Sequence, residues 1–151
     1  SEGETRPPPA ALEATWRDPA TDFISREALI STAGWLVPLH DRISSPMTLA
    51  LVHHDELPQL ANRVAHRIRR SDVAARYDEQ HLALLLPCTA TAAAAQLLND
   101  LRDRHPGLRA AIMTLTDGDA ALEQALAHLQ SSMARTQDDS DHWLAHAPPM
   151  H

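Results

Sequence analysis

Three charged residues near the middle of the chain, Arg69, Arg70 and Asp72, have side chains that can bind a polar ligand. A guanidinium group presents N–H donors that suit phosphates and the acceptor edge of a nucleobase, and a carboxylate accepts hydrogen bonds. The residues lie between a helix-like and a strand-like segment, so Arg69 and Asp72 can point the same way. The alternative is that Arg69 is a solvated helix-end charge and Asp72 a turn-forming residue. We take Arg69, Asp72 and Arg70 as a candidate ligand site.

A second group of polar residues, His53, His54, Asp55 and His81, has side chains of the kinds that bind metals. Successive side chains at a strand end point to opposite faces, so His53 and His54 cannot simply chelate one ion together. The simpler interpretation is that these four are polar residues at the edge of a sheet. Cys88 has no pattern of His and Asp around it that would make it a nucleophile, and we expect a small buried residue there. The residues therefore predict no metal ligand, no cofactor and no catalytic group.

The composition limits the classes of protein to which the chain can belong. The chain has 151 residues, a net charge of -7, and arginine as its only basic residue besides histidine. This acidic balance disfavours general nucleic-acid binding. The single cysteine excludes an internal disulfide and is compatible with a reducing compartment. No apolar run approaches the roughly 18–20 residues that span a bilayer. We expect a cytoplasmic domain, which is compatible with the soluble part of a membrane-associated protein.

Apolar periodicity divides the chain into a linker over residues 1–16, one domain over residues 17–146 and a tail over residues 147–151. The clearest helix is predicted over residues 57–70, where the apolar residues recur at helical spacing. The other predicted elements are a helix that begins at Ser25, with Pro38 expected to kink or end it, a strand over 47–52, a hairpin of strands over 73–77 and 82–87, a helix after Thr89 or Thr91, a strand over 109–115, a last helix, and an edge strand over 142–146. This order predicts an α/β domain with a mixed, mainly antiparallel sheet flanked by helices.

Several motifs in this order resemble those of GGDEF (diguanylate cyclase) domains. An Arg-x-x-Asp motif before a hairpin occurs at the family's spacing. An opening motif before the first helix and an apolar strand that ends in proline also look like family features. The matching positions are Asp18, Thr21 and Arg26 in the opening motif, Asp55 after the first core strand, Arg69 and Asp72, and the strand Leu84-Leu85-Leu86-Pro87. The chain is therefore similar to a degenerate GGDEF domain over about residues 18–146.

The departures from the family pattern fall on its catalytic positions. Asp78 and Glu79 stand where the family's turn has glycines that let GTP approach, and their charges oppose its phosphates. Gln80 and His53 stand where active cyclases have acidic metal ligands, and Mg²⁺ prefers carboxylate oxygens. The segment from His53 to Ser71 is too short for the two helices that the family places there. The resemblance thus implies a domain that has lost cyclase activity.

The resemblance also implies what the domain retains. In the family the Arg-x-x-Asp pair is an inhibitory site for cyclic di-GMP, which here would be Arg69 and Asp72, with Arg70 as a phosphate neighbour. Asp100 stands where the family often has a second arginine. The expected function is a cyclic di-GMP receptor within a larger signalling or secretion protein, with a possible homodimer. The alternative is a protein-interaction or dimerisation module that binds no nucleotide.

Overall fold

The fold is known from a computed structural model that describes residues 16–116, 122–135, 140–148 and 150. Apart from residue 16, the predicted N-terminal linker lies outside the described residues. A six-stranded sheet carries helices on both faces. In chain order the elements are β1 (Ile24–Ser25), α1 (Arg26–Arg42), β2 (Met47–His53), α2 (Leu57–Arg67), β3 (Val73–Asp78), β4 (His81–Pro87), α3 (Thr91–Arg104), β5 (Arg109–Thr114), α4 (Leu122–Arg135), a 3-10 turn (Ser140–His142) and β6 (Leu144–His146).

The strands lie in the order β1-β3-β4-β2-β5-β6. The central pairs β3–β4, β4–β2 and β2–β5 are antiparallel, whereas the edge strands β1 and β6 pair in parallel with β3 and β5. The predicted fold class, a mixed and mainly antiparallel sheet flanked by helices, is therefore confirmed.

Side chains of the central strands alternate between two apolar cores, as the pleat of a strand requires. On β2, Leu49 and Leu51 face the core under α1 and α4, whereas Ala50 and Val52 face the core under α2 and α3. All four are fully buried. Leucine, alanine and valine thus fill much of both sides of the sheet.

The helix ends differ from their predicted positions in two places. The periodic helix ends at Arg67 rather than at residue 70, because Ile68 takes an extended backbone conformation with ψ of 160°. Pro38 neither ends nor shortens α1, which continues to Arg42. Ser25 caps α1 as predicted, since its Oγ accepts a hydrogen bond from the Ala28 N–H at 3.1 Å.

Two described residues after the predicted domain boundary at residue 146 contact the domain. The Ala147 N–H donates to the Ile112 carbonyl at 2.9 Å, and Met150 lies against the core under α1 and α4. Among the described residues, no helix is long and apolar enough to cross a membrane.

Candidate ligand-binding site

The Arg-x-x-Asp motif forms a closed turn between α2 and β3. The Asp72 N–H donates to the Arg69 carbonyl at 3.0 Å, and the Arg69 N–H donates to Oδ2 of Asp72 at 2.8 Å. The Asp72 side chain is only 5% exposed. Asp72 is thus a turn-forming residue, as the alternative interpretation supposed, and its carboxylate fixes where the Arg69 side chain leaves the backbone.

The Arg69 guanidinium lies over this carboxylate. Its Nη2 is 3.5 Å from Oδ1 of Asp72 and also donates to the Pro87 carbonyl at 2.7 Å and to Oγ1 of Thr89. The side chain remains 56% exposed. Oδ1 of Asp72 is buried and accepts no hydrogen bond from the described residues. The predicted pair is therefore in contact, with one buried acceptor oxygen beneath an accessible cation.

An open pocket of about 580 Å³ adjoins the motif and is lined in part by arginines. Arg69, Arg70 and Arg17 all line it, and apolar residues that include Phe23 and Ile68 also line it. Arg17 donates from Nη1 to the Asp22 carbonyl at 2.8 Å, which fixes its position in the loop before β1. No spacing in the sequence links Arg17 to the motif, because the loop that carries it approaches α2 only in the folded chain.

The position of the family's second arginine carries a charge of opposite sign here. Oδ2 of Asp100, on α3, lies 2.8 Å from Nη2 of Arg67 at the end of α2. Both side chains are about two-fifths exposed, so the ion pair contributes little to stability. It does neutralise the cation next to the motif, which leaves Arg69, Arg70 and Arg17 as the cations around the pocket.

The β3–β4 turn, where the family has its catalytic signature, is held by its own side chains. Oδ1 of Asp78 accepts from the Gln80 N–H at 2.9 Å and from Nδ1 of His81 at 2.7 Å. Arg76 donates to the carbonyls of Asp78 and Glu79, both at 3.1 Å. These contacts occupy Oδ1 of Asp78 and the backbone carbonyls of Asp78 and Glu79.

The histidines near this turn do not share a common ligand position. The rings of His53 and His81 lie 5.0 Å apart, and burial, followed by the charge of His81, lowers the pKa of His53. His54 points elsewhere: its Nε2 bonds the Pro106 carbonyl at 3.1 Å and its Nδ1 accepts from the Glu56 N–H at 3.0 Å. Within the part of the chain that the structure describes, no three His, Cys, Asp or Glu side chains form a metal-binding group.

The expectation of a buried Cys88 is wrong. The residue is exposed and has a left-handed backbone with φ of 55°, because the chain turns away from the sheet directly after β4. Oγ of Ser45 donates to its Sγ at 3.1 Å.

The opening motif forms a group of hydrogen bonds around the Asp18 carboxylate. Oδ2 of Asp18 accepts from the backbone N–H and the hydroxyl of Thr21, at 2.8 and 2.7 Å, and from Nη1 of Arg76 at 3.1 Å. Burial of Asp18 raises the pKa of its carboxyl, but these hydrogen bonds outweigh it and lower the pKa below its ordinary value. These hydrogen bonds connect the loop before β1 to β3 and so fix the wall of the pocket that carries Arg17.

Comparison with solved structures identifies the fold as that of GGDEF domains. The GGDEF domain of DgcB from Caulobacter crescentus, solved in complex with c-di-GMP, has a TM-score of 0.77 at 13% identity, over 90% of this chain and 94% of that one. The diguanylate cyclase SiaD from Pseudomonas aeruginosa, solved with its activator SiaC, has a TM-score of 0.74 at 18% identity, over 91% of this chain and 64% of that one.

A third structure, the GGDEF domain of FimX from Pseudomonas aeruginosa, has a TM-score of 0.67 at 16% identity, over 87% of this chain and 97% of that one. No protein-family sequence model matches the chain, and neither does the sequence of any curated protein. The GGDEF-like fold expected from the sequence motifs is therefore confirmed by structure, at identities that establish the fold alone.

Proposed function

We propose that this chain is a catalytically inactive domain of GGDEF fold that binds cyclic di-GMP through Arg69 and Asp72. The observation that carries the proposal is the contact between these two side chains, in which an exposed guanidinium covers a buried carboxylate with an unused acceptor oxygen. Arg70 and Arg17, on the same pocket, supply further positive charge for phosphates.

The chemistry of guanine fits the two partners. Its O6 and N7 accept hydrogen bonds from an arginine, often from two N–H groups at once. Its N1–H and N2–H groups are donors, which suit the free oxygen of Asp72. To bind in this way, Arg69 exchanges its contacts with Pro87 and Thr89 for the ligand and uncovers Asp72. The phosphates of the ligand then lie within reach of Arg70.

The turn between β3 and β4 supports the loss of cyclase activity. An open pocket at this turn is lined by Asp55, Asp78, Glu79 and Gln80. Its three acidic residues would repel the phosphates of GTP. A single helix, α2, connects β2 to the Arg-x-x-Asp motif, so the chain lacks the second helix that the resemblance leads one to expect around a nucleotide. We infer that GTP is neither held nor converted at this turn.

The fold supports the choice of ligand. DgcB, whose GGDEF domain shares this fold, was solved with c-di-GMP bound. We propose that the chain acts in the cytoplasm as one domain of a larger signalling or secretion protein, and that binding of the nucleotide is the signal it transmits.

A protein-interaction module that binds no nucleotide is the second candidate function. It is favoured by one observation: Trp35 and Leu39 on α1 and Ile43 directly after it are exposed by 62%, 44% and 61%. Such large apolar side chains at helical spacing are characteristic of a surface that contacts a partner.

Titration calorimetry of the chain with cyclic di-GMP tests the proposal, with GTP as the comparison ligand. We expect saturable heat with cyclic di-GMP and little with GTP, because the acidic turn repels the triphosphate. Absence of heat with cyclic di-GMP at tens of micromolar ligand would reject the receptor function and leave the interaction module.

A further inference from the structure

Helix α1 has an apolar face toward the core and an exposed face that carries a tryptophan and a glycine side by side. Ala33 and Val37 are buried against the sheet, whereas Trp35 is 62% exposed on the other side of the helix. Gly34, next to Trp35, has no atom within 4 Å of the position of a Cβ. The exposed face therefore combines one large aromatic side chain with a position where another backbone can come close.

Charges of opposite sign lie at the two ends of this face. Glu27 is in the first turn of α1 and Arg42 in the last, and both are exposed. Among the described residues neither takes part in an ion pair. Since a helix turns by about 100° per residue, one stripe about 100° wide runs the length of α1. It contains Glu27, Ser31, Gly34, Trp35, Pro38 and Arg42.

We propose that this stripe is the interface of a two-fold symmetric dimer, in which α1 packs antiparallel against α1 of a second copy of the chain. With the two-fold axis between Gly34 and Trp35, residues equally distant from that point lie opposite each other. Glu27 of each copy then faces Arg42 of the other, so the interface contains two complementary charge pairs. A parallel arrangement would instead place Glu27 beside Glu27 and Arg42 beside Arg42.

The centre of the stripe suits the same arrangement. The two Trp35 side chains meet beside the two-fold axis and cover each other, which removes the most exposed large apolar side chain of the chain's described part from water. Gly34 and Ser31 add little bulk, so the two backbones approach closely. Leu39 flanks the pair of indoles and extends the apolar contact. The antiparallel orientation also aligns the two helix dipoles favourably.

Sedimentation equilibrium of the 151-residue chain, without nucleotide, tests the dimer. We expect a reversible dimer, and a monomer for Trp35→Glu at the same concentrations. Because Trp35 is mostly exposed, this variant should fold normally, which thermal unfolding checks. A chain that stays monomeric at the highest attainable concentration overturns the proposal, as does a dimer that Trp35→Glu leaves intact.

A charge exchange tests the register. Glu27→Arg and Arg42→Glu should each weaken dimerisation by about tenfold or more, because each places like charges in contact. The double variant restores both pairs with their signs reversed and should dimerise nearly as well as the parent chain. Glu123→Arg, an exposed reversal on α4, is the matched control and should have no effect. A double variant as weak as the single ones contradicts the antiparallel register. Since no nucleotide is present, the outcome is independent of the proposed receptor function.

Discussion

The guanidinium of Arg69 covers the carboxylate of Asp72, with Nη2 3.5 Å from Oδ1, yet the arginine is 56% exposed and the aspartate only 5%. The two residues of one motif thus have different structural duties. Asp72 holds the turn through the Arg69 N–H at 2.8 Å, and Arg69 faces solvent from that turn. A substitution of Asp72 therefore affects the turn as well as any bound ligand, and a substitution of Arg69 removes its contacts with Pro87 and Thr89 as well as any contact with a ligand.

Asp72→Ala and Asp72→Asn should separate the role of Asp72 in the turn from its role in ligand binding. Loss of the carboxylate leaves the Arg69 N–H without its acceptor, so Asp72→Ala should lower the free energy of unfolding by about 1–2 kcal/mol. Asn keeps an acceptor oxygen and should cost less, while still removing the charge that attracts guanine N–H groups. Urea denaturation measures both. Equal midpoints for the parent chain and Asp72→Ala would show that the turn does not depend on this carboxylate.

Val64→Asp should be severely destabilising. Val64 is fully buried on the inward face of α2, so an aspartate there is an unpaired charge in an apolar core, at a cost of about 3 kcal/mol or more. Arg63→Lys, one residue earlier on the exposed face, is the matched control and should be nearly silent. Thermal unfolding of the two variants compares them, and equal melting temperatures would contradict the assignment of this helix face.

Stability should decrease as the pH falls below about 6.5. Burial lowers the pKa of His53 and of His105, with the charges of His81 and of His54 as the next causes. The unfolded chain therefore takes up protons at a higher pH than the folded chain, so both histidines favour unfolding during acidification. Well above pH 6.5 they are neutral in both states and their effect disappears.

The free energy of unfolding at several pH values measures this dependence. His105→Gln should make it shallower, because it removes one of the two groups whose pKa is lowered by folding. A parent chain that gains stability between pH 7 and pH 5 would contradict the expected sign.

Local patterns in the sequence predicted most of the fold. Leu57, Leu60 and Val64 recur at helical spacing and are all buried on α2, since amphipathic periodicity is a local property of the chain. The end of this helix could not be predicted from the periodicity. Ile68 leaves the helical conformation where the turn closed by Asp72 begins.

The candidate site was only partly predictable for a related reason. Arg69 and Asp72 are three residues apart, so their contact follows from local geometry. Arg17 and Arg76 act across the fold: the first reaches the pocket from the opening loop, and the second ties Asp18 to β3 across 58 positions of sequence. Contacts at such separation follow from the topology of the sheet and leave no mark in the spacing of the residues.

No cyclic di-GMP should form when the chain is incubated with GTP and Mg²⁺ or Mn²⁺. The turn of β3 and β4 has two carboxylates where a triphosphate would approach, and Gln80 is a poor ligand for either ion. Chromatographic detection of the product measures this. Product above a control without protein, and lost on Asp55→Ala, would show that the site is active after all.

Titration calorimetry with Arg69→Ala tests the central claim most directly. If the Arg69 guanidinium binds cyclic di-GMP, its loss should weaken binding by about 1.5–3 kcal/mol, which is roughly ten- to a hundredfold in affinity. Arg135→Ala, which removes an arginine from the end of α4, is the control and should bind as the parent chain does. A cyclic di-GMP affinity of Arg69→Ala equal to that of the parent chain would contradict the assignment of this site.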